Sequence, residues 1–241
     1  MDRSAPEELE DVRAGRLPVR YGYRMQDAFL ERLRPLLNPG VTILDVGAGR
    51  SPMMAPADRP PGCIYLGLDI SAEELSAAGS AAYDVSFVHD IAEPLADLRN
   101  VDVIVSWQVL EHVASLPRAL ANLRAMLRPG GTLLAQTSGS FAAFALVARA
   151  MPHRLRVKAL TRFLGHLEED KFPTYYDHCT ARALRRLLSG WEWSEIVSFY
   201  RGAPYFSMSR PLQRLYLAYE DFIATRGWEN LATHYLLMAH S

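Results

Sequence analysis

Ile43-Leu44-Asp45-Val46-Gly47-Ala48-Gly49 is the stretch on which the reading of this chain turns. A short apolar run that ends in Gly-Ala-Gly reads as a buried parallel strand entering a tight turn. Glycines there let the backbone approach a ligand closely, and a helix N-terminus beyond the turn favours an anion. The place of a third glycine is held by Pro52. A dinucleotide fingerprint wants glycine or alanine at that place, so proline turns the reading away from a pyrophosphate-bearing ligand. By itself the stretch fits a plain strand-to-helix turn equally well.

Working outward, apolar runs alternate with helical patterns. Met25 to Leu37 carries apolar residues at helical spacing and is stopped by Asn38-Pro39-Gly40. Ile64 to Leu68 reads as a second strand ending at Asp69, and Ser71 as the N-cap of a helix with Glu73 and Glu74 in its first turn. Ser86 to Val88 is a third strand before His89-Asp90, and Val101 to Ser106 a fourth. Leu116 to Leu127 is an amphipathic helix closed by Arg128-Pro129-Gly130-Gly131, and Thr132 to Gln136 a fifth strand. Beyond it come a helix at Ala181 to Leu188, a strand at Trp191 to Tyr200 and a last strand at His234 to Ala239. The alternation implies βαβ units, a parallel sheet and helices on both faces. Residues 1–20 read as a polar lead-in and 21–241 as one domain, with helical insertions at about 138–178 and 203–228.

Bulk properties exclude several classes. Lys+Arg is 26 against Asp+Glu 27, so nothing general draws the chain to nucleic acid or an anionic membrane. Cys63 and Cys179 stand alone, without zinc spacing, which suits a reduced cytoplasmic protein. No signal peptide is read, and the most apolar stretch, Phe141 to Val147, is too short to span a bilayer.

Candidate site residues fall where strands end. Asp69 lies twenty residues past Gly49, where a carboxylate can accept both hydroxyls of a ribose. Asp90 ends the third strand, where a carboxylate can accept an adenine amine; each acid alone also suits a solvated loop. Ser106-Trp107-Gln108 and Val109-Leu110-Glu111-His112-Val113 follow the fourth strand, at the edge where open α/β sheets bind ligands.

With these stretches together, the chain resembles the small-molecule branch of class I S-adenosylmethionine-dependent methyltransferases, the group that contains ubiquinone-biosynthesis-type enzymes. Leu44 to Gly49, Leu66 to Asp69, His89 to Ile91, Val109 to Val113 and Leu127 to Gly131 carry the resemblance, which covers roughly residues 24–137. It implies a Rossmann-like seven-stranded, mostly parallel sheet of order 3-2-1-4-5-7-6, strand 7 antiparallel, with helical caps after strands 5 and 6. It implies S-adenosylmethionine as cofactor, S-adenosylhomocysteine as product and no metal. Gly47, Ala48 and Gly49 would admit the methionine part, Asp45 would orient the turn or the amine, and Asp69 with Ile70 would hold the ribose. Asp90 with Ile91 would frame the adenine, and Ser106, Trp107 and Tyr21 would complete the cofactor site. The Asn-Pro-Pro-Tyr or Asp-Pro-Pro-Tyr of enzymes that methylate flipped bases is absent; Ser106-Trp107-Gln108 stands there.

The acceptor side is read from the residues alone. His112 is a candidate base or polar wall, or else a packing histidine bonded to backbone. Phe172 to His178 packs aromatic, acidic and basic groups together before a helix. Tyr175, Tyr176 and His178, with Trp107, are candidates for the acceptor pocket, and Tyr176 and His178 for catalysis. The other reading is an aromatic plug with Asp177 or Thr180 capping the helix at Ala181. Arg182, Arg185 and Arg186 read as a solvated face. The expected function is methyl transfer to a small-molecule oxygen or nitrogen, without nucleic-acid or membrane partners. A non-catalytic scaffold and an RNA or protein methyltransferase are the alternatives. The apolar helices in 140–165 and 211–224 are candidates for a lid or for a homodimer interface.

Overall fold

The computed structural model describes residues 10–141, 173–206 and 209–241. The helical reading of the first insertion and the place of Phe172 lie largely outside them. The chain separates into two compact units, Met1–Leu36 and Leu37–Ser241. In the first, helix α1 (Met25–Leu33) gives way to a 3-10 turn at Arg34–Leu36. That is shorter than the spacing predicts. Pro35 has no N–H to continue the helical ladder.

The second unit is built on β1 (Thr42–Val46), β2 (Ile64–Asp69), β3 (Val85–Val88), β4 (Val101–Trp107), β5 (Leu127–Ser138), β6 (Trp193–Phe199) and β7 (His234–His240). These form one seven-stranded sheet of order β3-β2-β1-β4-β5-β7-β6, in which β7 runs antiparallel to both β5 and β6. The expected topology is therefore present. Helices α2 (Ala72–Ala77), α3 (Leu116–Met126), α4 (Ala181–Leu188) and α5 (Arg210–Thr225) accompany it.

Strand alternation allots the two faces different tasks. Leu44, Val46, Leu68, Ile104, Leu133 and Leu237 lie on one face and pack with Leu120 and Leu123 of α3 and Leu184 of α4 in the main apolar cluster. Asp45, Tyr65, Asp69, Trp107, Gln136 and His234 fall on the other face by register.

Local signals explain the element ends. Ser71 Oγ accepts the Glu74 N–H and Thr180 Oγ1 that of Ala183, so both helices begin at hydroxyl caps. Thr180, not Asp177, caps α4. Arg128-Pro129-Gly130-Gly131 does not separate helix from strand as expected. Leu127 already pairs with Val101, and the glycine turn, with Gly130 at φ +73°, is an irregularity inside β5 before Thr132 pairs with Val103.

A second difference bears on the site. The glycine turn after β1 does not open a helix. Only a 3-10 turn at Pro56–Asp58 lies between β1 and β2. Pro52, Pro56, Pro60 and Pro61 deny this segment the donors a helix needs. A buried polar network fixes it instead. Asp45, 3 % exposed, accepts the Met53 N–H and the Tyr65 hydroxyl, both at 2.7 Å. The Arg59 guanidinium lies 3.9 Å from the Tyr65 ring centre and donates to the Met54 and Ala82 carbonyls. Tyr83 lies parallel to Tyr65 and fills the space over Gly67, where an added Cβ would come within 2.7 Å of the Tyr83 ring.

Two outcomes follow for stability. Burial pushes the Asp45 carboxyl from 3.8 up to about 6, against the Met53 and Tyr65 hydrogen bonds that pull it down. Between pH 4 and 6 the folded chain thus holds a proton that the unfolded chain has released. Stability should fall as pH rises through that window, by about 2–3 kcal/mol, and level off above it. Urea unfolding against pH should show this slope in the parent and not in Asp45→Asn. Gly67→Ala should cost about 1–3 kcal/mol in the same assay at pH 7, because the Tyr83 ring must shift.

Candidate active site

The carboxyl ends of β1, β2 and β4 meet at the glycine turn. Gly47 sits at φ +70° and Gly49 at φ +49°, a region that suits glycine. A Cβ on Gly47 would lie 2.0 Å from Val109 Cγ2, so the turn is pressed against the segment that follows β4. The turn's own donors are already spent. Gly47 and Ala48 N–H both reach the Leu68 carbonyl, at 2.8 and 3.2 Å, and Gly49 N–H reaches Asp69 Oδ2 at 3.0 Å. Glycine therefore supplies room here rather than an anion-binding nest. Tyr83 holds the turn from beneath, its hydroxyl donating to the Ala48 and Gly49 carbonyls at 2.9 and 3.0 Å.

Asp69 ties two loops together. Its Oδ2 takes Gly49 N–H and its Oδ1 takes Ser71 N–H at 2.8 Å. Each oxygen keeps a further lone pair, and Gly49 has no side chain to cover Oδ2. Ile70 beside it is 59 % exposed, an apolar surface at the strand end. Asp90 is exposed after β3, its Oδ1 accepting the Ala92 N–H at 2.8 Å, while Ile91 is buried in the core. Ser106 is wholly buried and pairs with Val46, on the face given to α3 and α4. Trp107 is half-buried on the opposite face. Tyr21 is buried within the first unit, in the 3-10 turn Val19–Gly22.

The sequence reading missed Glu111. It sits in the 3-10 turn Leu110–His112, 3 % exposed, with its carboxylate accepting the Thr137 hydroxyl and the Ser138 N–H. Its backbone carbonyl accepts the N–H groups of both Tyr175 and Tyr176, at 2.9 and 3.0 Å. One residue thereby joins the end of β5 to the segment before α4. Its place between Leu110 and His112 gives no sign of burial, but once buried a carboxylate must find partners.

Other ties fasten the same segment. His112 Nδ1 lies 3.2 Å from the Pro173 carbonyl, which makes Nδ1 the donor and leaves Nε2 as an acceptor. Ser140 Oγ donates to the Tyr176 and Cys179 carbonyls. Asp177 Oδ2 accepts the N–H of Leu116, the first residue of α3, at 3.0 Å, and its Oδ1 lies 2.5 Å from His178 Nδ1. Tyr176 and His178 are held at φ +53° and +57°, and Gln108 at +55°. Non-glycine residues in this region cluster at functional sites. His112, Tyr175, Tyr176 and His178 are thus gathered around Glu111, whose neighbour Val109 touches the glycine turn.

Among the described residues, no three His, Cys, Asp or Glu side chains are placed to hold a metal ion. Nor is any helix of these residues long and apolar enough to cross a membrane.

Comparison with known proteins agrees with this geometry. The chain is 31% identical over 109 residues to a ubiquinone biosynthesis O-methyltransferase of Brucella ovis, covering 43% of each chain. It is 31% identical over 122 residues to the protein of that name from Nitrobacter winogradskyi, covering 48% of this chain and 46% of the relative. The matched region thus spans less than half the length of these relatives. Among solved structures, a SAM-dependent methyltransferase from Archaeoglobus fulgidus superposes with a TM-score of 0.56 at 16% identity, covering 89% of this chain and 92% of the other. A Haemonchus contortus phosphoethanolamine N-methyltransferase 2 bound to S-adenosyl-L-methionine gives 0.55 at 14%, covering 89% and 52%. At these identities the likeness is one of fold. A methyltransferase-domain family model matches residues 19–194, most of the chain, and the protein therefore belongs to that family, among the class I S-adenosylmethionine-dependent methyltransferases.

Proposed function

We propose that the chain transfers the methyl group of S-adenosylmethionine to an oxygen of a small-molecule acceptor. The observation that carries this reading is the row of carboxylates Asp45, Asp69 and Asp90 at successive strand ends around Gly47-Ala48-Gly49. Asp69 keeps lone pairs for ribose hydroxyls, Asp90 accepts the adenine amine, and exposed Ile70 borders the base, while Ile91 supports that edge from the core. Asp45 acts through the turn, since both its oxygen contacts are internal. Trp107 borders the methyl donor and the acceptor, and Ser106 supports Trp107 from the core side. The choice of oxygen leans on the O-methyltransferase relatives.

When bound, the cofactor supplies a methyl already activated on a sulfonium sulfur. The protein has to align the acceptor, exclude water and take up one proton. We assign that proton to His178. Asp177 faces its Nδ1, so Nδ1 carries the hydrogen and Nε2 is free to accept. With the cofactor, when bound, supplying the methyl group, Nε2 would take up the proton that the acceptor hydroxyl gives up. Tyr175 and Tyr176 wall the acceptor, and His112, turned to the Pro173 carbonyl, shapes the wall. The near-neutral charge supports a small-molecule acceptor over nucleic acid, and the free thiols Cys63 and Cys179 suit a cytoplasmic setting. A homodimer through α5 is compatible with its exposed Leu215 and Phe222.

Calorimetry should detect S-adenosylmethionine binding, weakened at least about tenfold in Asp69→Ala through lost ribose hydrogen bonds. A heat signal absent from the parent would sink the reading. Methyl transfer to a catechol and phenol panel should fall by about 10²-fold or more in His178→Ala and in Asp177→Asn, which holds the wrong tautomer. Cofactor affinity should not change in either variant, and wild-type turnover in both would remove the base from this loop.

A further inference from the structure

One polar side chain in the middle of the sheet serves neither the fold nor the chemistry above. Gln136 of β5 is wholly buried, and neither its Oε1 nor its Nε2 has a hydrogen-bond partner. Its backbone is ordinary: its carbonyl accepts the Gln108 N–H at 3.0 Å, and it pairs with Trp107 on β4 and Leu236 on β7. Leucine or methionine would fill the same volume without an unmet amide, so retention of glutamine needs a reason.

Its surroundings supply one. Gln136 lies on the sheet face that also carries Asp45 and Asp69, toward the edge where the glycine turn sits. Trp107 is its direct neighbour on β4. His234 is its diagonal neighbour on β7, through the Ser138–His234 pair. His234 is buried, and burial, then the Arg201 charge, pushes its imidazole down to about 4, so the ring is neutral at physiological pH. The three side chains of Trp107, Gln136 and His234 are therefore aromatic or polar and themselves uncharged, with the buried Arg201 charge near His234.

We propose that Gln136 anchors the methyl acceptor by a hydroxyl on a neutral aromatic ring; this rests on the methyl-transfer reading given above. A carboxamide presents a donor and an acceptor side by side. A hydroxyl answers both, giving its hydrogen to Oε1 and a lone pair to Nε2. A carboxylate would leave Oε1 facing another acceptor, and an ammonium would leave Nε2 facing another donor. The flat indole of Trp107 suits an aromatic ring. Trp107 is half-buried, so this group of side chains reaches the surface at this residue.

The probe is 4-fluorophenol, followed by fluorine NMR with the full chain saturated in S-adenosylhomocysteine, in the parent and in Gln136→Leu. 4-Fluoroanisole, which cannot donate, and charged 4-fluorobenzoate are the comparisons. The parent should bind 4-fluorophenol, and Gln136→Leu should bind it about tenfold or more weakly. Both comparison compounds should bind poorly to both proteins. With the unmet amide gone, the variant should melt about 2–4 °C higher. Equal 4-fluorophenol affinity in the two proteins, no binding to the parent, or a lower melting temperature in Gln136→Leu overturns the proposal. Gln136→Met, with similar volume, repeats the comparison should the leucine variant fail to fold. Calorimetry with S-adenosylhomocysteine on the same samples separates the two levels. Failure of the parent to bind it removes the methyltransferase reading, whereas normal binding with unaltered phenol affinity removes only the role of Gln136.

Discussion

The Asp45 carboxylate, buried beneath the turn after β1, is the constraint from which the cofactor end of the molecule is built. A buried carboxylate needs hydrogen-bond donors, and Met53 N–H and the Tyr65 hydroxyl both donate to its Oδ2. Those two partners come from the loop beyond the turn and from β2. Arg59 over Tyr65 adds a nearby positive charge, and Tyr83 carries the support on to the Ala48 and Gly49 carbonyls. The loop between β1 and β2 has several prolines and no regular helix, yet it is pinned at each end. A side-chain network replaces the helix that usually follows such a turn.

Glu111 plays the matching part at the proposed acceptor end. Its carboxylate is spent on β5 and its carbonyl on Tyr175 and Tyr176. Asp177 extends the tie to the first N–H of α3. Each is an ordinary hydrogen bond, but together they fix a segment whose backbone adopts unfavourable φ angles at Tyr176 and His178. Such strain persists only where the surroundings over-determine it. The two ends are joined at Val109, which presses on Gly47 and directly precedes the Glu111 turn.

The sequence discloses the cofactor end better than the acceptor end, for a physical reason. Parallel strands buried on both faces read as apolar runs, and the candidate carboxylates interrupt them at their ends. Asp45, Asp69 and Asp90 were visible on that ground, and so was the sheet order once the family resemblance supplied it. Where the signal is a change of backbone state without a change of period, it fails. Arg128 to Gly131 looks like a stop yet lies inside a strand, and Pro52 looks like a helix start yet helps prevent one. Glu111 was passed over because burial decides its role, and a single glutamate in a short apolar motif does not announce whether it points inward. Asp177 stood beside Thr180 as an alternative cap for α4, but its Oδ2 meets a different helix. That helix, α3, is 61 residues away in sequence, beyond the reach of any local pattern.

Gln136 shows the same limit from the other side. Within Leu133-Leu134-Ala135-Gln136-Thr137-Ser138 the change from apolar to polar reads as the end of a strand. The strand in fact continues to Ser138, and its polar residues are buried. Their partners divide them by face. Thr137 turns to Glu111 and completes the fold. Gln136, one residue earlier and on the opposite face, has both amide atoms unmet. Alternation thus places a satisfied polar residue and an unsatisfied one side by side, on the core face and on the carboxylate face. Stability alone would favour an apolar residue at this position, so the unmet amide points to a bound acceptor rather than to the folded chain by itself.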